Sequence, residues 1–462
     1  MKQKLAQLFR GNLVHTPSKG ELEILTDVYC GVDEQGKIAF ISPINSEGWR
    51  EEFDAQGAME IDVGKNRFLM PGFVDLHFHA PQYPFHGTAT DTSLMQWLQK
   101  YIFPTEARYG KDLAFATSVY RRMVNHLLRL GTTTALFYAT IDVEPSLVLC
   151  DEIESAGMRG FVGIPSLDRN GSAEHGYERS TAQAIEDAQR FIDTVLARHK
   201  PRDLVHPVVT PRFLPTCSPE LLTALSNLAH QHNLLIQSHI SESRDEVESV
   251  QKLYGEPDAK VFERMNMMGP RTVMAHATRM TRDDWNIVKS KGVGIAHCPL
   301  SNAFFGDGAV SVKRLWRENI KVGLGTDVAG GYTPAMLSAI RQAVVTSKMM
   351  EAQRKDSIDK HGVQKNWSDE PLDMDWVSGL YLATLGGAEV LGMADKIGTL
   401  AVGKSLDAIV VEVLPFNGQF RPPFEVFPTD TMRDRVEKFV NLGDDRNIKQ
   451  VFVGGKCVFS CE

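Results

Sequence analysis

The 462-residue chain has no run of about 18 consecutive apolar residues, so no segment reads as a membrane-spanning helix. Basic runs are missing too. Against 58 Asp and Glu stand 50 Lys and Arg, for a formal net charge of -8, which argues against a surface that tracks nucleic-acid phosphates. Cysteine is scarce: the six (Cys30, Cys150, Cys217, Cys298, Cys457, Cys461) form no Cys-x-x-Cys pair and no tight framework spacing, which fits a reducing compartment. The basic start, Met1-Lys2-Gln3-Lys4, leads into no apolar signal-like stretch, and a cytoplasmic location is expected. No internal repeat or low-complexity tract is present. What remains is an ordinary globular composition, 43% hydrophobic and 23% charged, pointing to a protein that acts on a small molecule, with neither membrane nor nucleic acid as partner.

The most informative stretch is Phe73-Val74-Asp75-Leu76-His77-Phe78-His79-Ala80, preceded by Pro71-Gly72. Residues that alternate after a Pro-Gly turn predict a short strand with Asp75, His77 and His79 on one face. Two imidazoles at i and i+2 of one strand can share a metal ion without bending the backbone, although a lone His-x-His is equally a pair of packing histidines.

From that strand onward the texture is of strands alternating with helices, which predicts parallel βα units. Strands are expected near 73–79, 132–138, 160–165, 205–210, 234–239, 272–276, 293–297 and 321–327. Eight in series predict an α/β fold with a closed (β/α)₈ TIM-type barrel over residues 71–400. Helix punctuation supports it: Ser218-Pro219-Glu220 reads as an N-cap with Pro at N1, and Thr281-Arg282-Asp283-Asp284 opens a helix that stops before Gly292. Helix 181–198 presents Ala184, Ile185, Ala188, Phe191, Ile192, Val195 and Leu196 for packing on the barrel. Both ends are strand-like, with a hairpin around 28–41, a polar loop over 45–56, and strands near 405–411 and 449–458. Neither end alone can bury a face, so residues 1–70 and 401–462 are expected to share one small β-sandwich. A helix is expected around 376–391, and Lys355 to Pro371 is polar, without a clear element.

Barrel active sites lie at the C-terminal ends of the strands. Here strand one ends in His77-Phe78-His79, strand four in Thr210-Pro211-Arg212-Phe213, strand five in His239-Ile240-Ser241-Glu242, strand six in His276, strand seven in His297-Cys298-Pro299 and strand eight in Gly325-Thr326-Asp327. His77, His79, His239 and Asp327 would make an N₃O site with an open position, the arrangement of a catalytic zinc or iron. Such a metal can pull the pKa of water from about 15.7 toward about 7. Glu242 is then placed to move a proton, while His276 and Asp327 can orient the attacking oxygen. His297 and Cys298 are read as structural, a buried thiol beside proline being usually inert.

These stretches resemble the amidohydrolase superfamily and, within it, the guanine deaminases. The likeness runs over most of the chain and rests on Pro71 to Tyr83, Phe103-Pro104-Thr105-Glu106, Pro211-Arg212-Phe213, His239 to Val247 and Gly325-Thr326-Asp327-Val328-Ala329-Gly330-Gly331. It implies a hydrolase with one Zn²⁺ per chain, Fe²⁺ being the other candidate, that converts guanine to xanthine and ammonia. It implies His77, His79, His239 and Asp327 as metal ligands, Glu242 as proton shuttle, His276 as its assistant, and Gln82, Arg212 and Phe213 on the purine. A homodimer is implied as well. Phe85-His86-Gly87 departs from the family pattern, which has a small or amide residue before the glycine, so the pocket lip is expected to differ.

Two-metal members of the superfamily carry a modified lysine at the end of strand four, where this chain has Pro211-Arg212-Phe213, which favours one metal. The unrelated zinc deaminase pattern, His-x-Glu with Pro-Cys-x-x-Cys, is absent. Two alternatives stay open: an aminohydrolase of the same barrel acting on a triazine, pyrimidine or adenine-type ring, and a catalytically silent scaffold.

Overall fold

The computed structural model describes residues 2–88, 92, 94–172, 175–198, 203–306, 308–361, 370–414 and 423–461. Short, largely apolar runs become the staves of a barrel. Strands Phe73–His79, Thr132–Tyr138, Arg159–Gly163, Val205–Pro211, Leu235–Ile240, Thr272–His276, Gly294–His297 and Lys321–Leu324 pair in chain order, all parallel. Phe73–His79 and Thr132–Tyr138 are buried at every position, as expected when helices cover the outside and side chains fill the inside. The eighth strand stops at Leu324, short of the expected Asp327. Thr326 leaves the ladder because its N–H and hydroxyl donate to the Asp75 carboxylate on strand one, at 3.0 and 2.5 Å. Asp327 N–H then donates to His77 O at 2.8 Å, and His79 N–H to Val328 O at 3.2 Å, so the loop after the last strand closes the ring.

The predicted caps are present. Ser218 Oγ accepts from Leu221 N–H ahead of helix Pro219–His232. Thr281 and Asp284 form a reciprocal capping box on helix Arg282–Lys291, which Gly292 ends in the left-handed conformation. In helix Thr181–Ala197 the expected apolar face packs inward at Ala184, Ala188, Phe191, Ile192 and Val195, whereas Leu196 faces solvent. The helix expected around 376–391 is broken by a π segment: Trp376–Tyr381, Leu382–Gly386, Gly387–Val390. Of the polar stretch Lys355 to Pro371, the first part continues helix Met336–His361, and residues 362–369 lie outside those described.

Both ends of the chain meet in one mixed nine-stranded sheet. Its order is Lys456–Ser460, Ile448–Val453, Ala408–Glu412, Arg67–Pro71, Gln3–His15, Glu23–Asp33, Ile38–Pro43, with Phe53–Asp54 and Met59–Asp62 also on Gln3–His15. Phe9 and Phe452 lie three strands apart in that order, yet their rings meet edge to face at 5.2 Å, so the sheet folds over on itself and buries a core between its halves. The polar reading of residues 45–56 missed a helical turn, Trp49–Glu52: Trp49 stacks on Phe40 at 4.8 Å and closes a second small cluster. Asp407 locks the sheet to the barrel base. Its carboxylate takes Arg159 Nε and Nη2, each at 3.2 Å, and Gly454 N–H at 2.8 Å, while its carbonyl takes Gly72 N–H at 3.0 Å.

Candidate active site

The alternation in strand one puts His77 and His79 on the same inward face, with ring centroids 4.9 Å apart. His239, from the end of strand five, lies 4.8 Å from His77 and 5.2 Å from His79, and His276, from strand six, 5.3 Å from His77. Asp327 faces them from the closing loop: its Oδ1 is 3.4 Å from His77 Nε2 and 3.5 Å from His79 Nε2, and its Oδ2 is 3.8 Å from His276 Nε2. Three of these rim segments hold non-glycine residues in the left-handed region: Ser241 (φ 46°), His276 (φ 72°) and Asp327 (φ 53°). Each costs on the order of 1–3 kcal/mol, a strain that persists where the surroundings over-determine it.

The donor atoms fit one metal ion. The Nδ1–H of His239 donates to Arg212 O at 2.6 Å, which turns the lone pair of Nε2 toward His79 Nε2, 3.2 Å away. Among the described residues, Nε2 of His77 and of His276 are buried without a hydrogen-bond partner. Burial drives the pKa of His77, His79 and His239 well below the usual imidazole value, the neighbouring rings adding to it, so all three are neutral and carry lone pairs. Two overlapping groups satisfy metal-ligand spacing, His77 with His79 and His239, and His77 with His276, Cys298 and Asp327. Close approach behind His77 requires a glycine: a Cβ on Gly325 would sit 2.7 Å from His77 Cβ and 3.1 Å from Cys298 Sγ.

Around this centre lies a cavity bordered by His79, Gln82, Arg212, Phe213, His239, Glu242, His276 and Asp327. Eight of the nine candidate residues read from the sequence border this cavity; His77 does not, but its ring lies 4.9 Å from that of His79 and 4.8 Å from that of His239. Glu242 follows strand five; its N–H is held by Glu246 Oε2 at 2.7 Å and its carboxylate lies 3.6 Å from His276 Nδ1. That ring nitrogen also meets Asn302 Oδ1 at 3.0 Å. Trp97 and Phe305 complete the wall, their rings 5.3 Å apart.

Behind Gln82 and Arg212 stands a group the sequence reading did not single out as a site residue. Glu106, wholly buried, accepts from Gln82 Nε2 at 2.8 Å and from Arg212 Nη1 at 2.9 Å, and also from Tyr177 Oη. Glu106 lies in Phe103-Pro104-Thr105-Glu106, on helix Phe103–Tyr109. A buried carboxylate on an otherwise apolar helix face was the available signal, but its partners come from three distant segments.

Residues 68–458 match the amidohydrolase family. The chain is 38% identical to guanine deaminase of Dictyostelium discoideum, with 98% of each chain covered, and 39% identical to guanine deaminase of Homo sapiens, covering 98% of this chain and 97% of that one. A solved structure of guanine deaminase from C. acetobutylicum with bound guanine in the active site superposes with a TM-score of 0.86 at 29% identity, covering 98% of this chain and 100% of that one. The chain belongs to the amidohydrolase family and, within it, to the group of the guanine deaminases.

Proposed function

We propose that this protein hydrolyses the exocyclic amine of guanine to give xanthine and ammonia, at one zinc ion held by His77, His79, His239 and Asp327. The carrying observation is that one cavity is bordered by His79, His239, Asp327, Glu242, Gln82, Arg212 and Phe213, with the His77 ring 4.9 Å from that of His79. Chains of 37–39% identity over almost the whole length, each a guanine deaminase, support the same reaction. Imidazole nitrogen and carboxylate oxygen suit zinc, with ferrous iron the alternative. Cys298 is left out of the set. Burial, with Asp327 and other carboxylates nearby, holds its thiol well above the usual pKa, and Sγ donates to Ala296 O at 3.5 Å.

Bound there, the metal supplies the Lewis acidity that makes water nucleophilic near neutral pH. The protein's own groups do the rest. Gln82 and Arg212 hold the purine edge and Phe213 offers a ring face, so that C2 is presented at the floor of the cavity. Glu242 takes a proton from the water and delivers it to the departing amine, while His276 hydrogen-bonds the attacking oxygen. A cytoplasmic homodimer completes the proposal, supported by the resemblance to guanine deaminases.

Ammonia release is measured from guanine, adenine, cytosine and an aminotriazine, on protein of known metal content. Preferential turnover of guanine is expected. Turnover of another ring alone would remove Gln82, Arg212 and Phe213 as guanine readers, and silence on all rings in metal-loaded protein would overturn the activity.

A further inference from the structure

Gln82 can turn either end of its amide toward a ligand, a donor or an acceptor, and the choice decides which purine edge the cavity accepts. The structure fixes that choice. Oε1 of Gln82 is taken by the backbone N–H of Ala329 at 3.1 Å, and Nε2 donates to Glu106 Oε1 at 2.8 Å. One N–H of the amide is thereby left for the cavity that Gln82 borders.

Arg212 is oriented by the same carboxylate. Among the described residues, the side-chain hydrogen bonds of its guanidinium fall on Nη1, to Glu106 Oε2 at 2.9 Å and Tyr177 Oη at 3.3 Å. Phe103 and Tyr177 flank the guanidinium at 5.3 and 5.7 Å from their ring centres. The fork is thus pinned at one end, with Nε–H and Nη2–H left for a ligand. Glu106 has 0% exposure and is not part of the cavity wall, so it acts through both readers rather than on the ligand. It accepts from Gln82, Arg212 and Tyr177, which matches an ionised carboxylate, an acceptor only. A guanidinium buried to 3% exposure needs such a counter-charge.

We propose that Glu106 is the positioning residue that sets substrate specificity, by holding Gln82 with an N–H turned to the cavity and by fixing in place the fork of Arg212, which donates in any orientation, so that the pair presents a face of donors. Such a face pairs with the acceptors of guanine, the C6 oxygen and the ring nitrogens that carry no hydrogen, and not with N1–H. It opposes a purine whose C6 carries an amino group, because two donors meet and a buried donor is left unpaired. The 2-amino group that leaves is the same in guanine and in 2,6-diaminopurine; the pair differs at C6. The change in their kcat/KM ratio from wild type to variant, in which the intrinsic reactivity of each C2 cancels, therefore reads the polarity of the face. The inference rests on the reaction proposed above.

The test compares kcat/KM for guanine and 2,6-diaminopurine in the metal-loaded wild type, Glu106→Gln and Glu106→Asp, with melting temperature and metal content alongside. In Glu106→Gln the amide at 106 can donate to Gln82 as well as accept from it, so that only the Ala329 N–H still favours the present orientation of Gln82, and Arg212 loses its counter-charge. Guanine kcat/KM is expected to fall at least tenfold, and the guanine to 2,6-diaminopurine ratio also at least tenfold, with metal content unchanged. Glu106→Asp keeps the counter-charge of Arg212 but draws the oxygens back by one methylene, so it folds even where the Gln variant does not; it is expected to narrow the ratio as well. Equal losses on both substrates in the variant that folds would make Glu106 a merely structural anchor and overturn the inference, as would unchanged kinetics. A wild type silent on guanine removes the proposed reaction and this inference with it, whereas a wild type that turns guanine over with a ratio indifferent to position 106 removes the inference alone.

Discussion

At the scale of single residues, the proposed chemistry needs Glu242 as a proton carrier and His77 as a ligand, and the two separate experimentally. Glu242→Gln is expected to lower kcat by at least 10²-fold while metal content stays at the wild-type level, because general acid–base catalysis contributes roughly 10²–10⁴-fold. His77→Ala is expected to lose metal. Full occupancy by elemental analysis in that variant would remove His77 from the ligand set. The histidines, Glu242 and Asp327 were legible in the chain because they end or directly follow predicted strands, and strand ends of a barrel converge on one rim, whereas Gln82, Arg212 and Phe213 were read as substrate contacts only through the family resemblance. Glu106 was not legible as a site residue, since its role depends on Gln82, Arg212 and Tyr177 arriving from separate segments. Asn302, against His276, was obscured in the same way.

Elements carry two further consequences. The loop after strand eight is held by Asp75, whose carboxylate takes Thr326 N–H and Oγ1, and burial pushes its pKa up to about 7. Sequence reading placed Asp75 beside the two histidines but could not see that it fastens the Asp327 segment, because the last strand was expected to run through Asp327. Gly325 leaves no room for a side chain there; Gly325→Ala is expected to displace His77 and weaken metal affinity by at least tenfold, measured by chelator competition. Helix Met336–His361 is anchored differently. Glu351 accepts from Arg354 Nε and Nη2, each at 2.8 Å, and from Leu372 N–H at 2.9 Å, and the bonded guanidinium holds its carboxyl down at about 2. Folding therefore favours the ionised form: the stabilisation is complete above the ordinary value of 4.5 and is lost as the pH falls toward about 2. The difference in stability between wild type and Glu351→Gln should accordingly be present at pH 7 and shrink below pH 4.5, in denaturant titrations across that range.

The whole molecule depends on the join between barrel and terminal sheet, where Arg159 and Asp407 are 8% and 4% exposed. Asp407→Ala leaves a buried guanidinium without its partner and is expected to cost about 3–5 kcal/mol, read as a lower melting temperature and unfolding midpoint. A change within about 1 kcal/mol would show that the join is held elsewhere. That shared sheet also sets a schedule for synthesis. Strand Arg67–Pro71 pairs with Ala408–Glu412, which leaves the ribosome about 340 residues later, roughly 20–70 s at 5–20 residues per second. During that interval the barrel strands emerge one after another while one edge of the N-terminal sheet stands open, a template for the wrong partner. The last strands to be translated are thus the ones that seal the first, and the nascent chain needs protection for as long as that edge is bare.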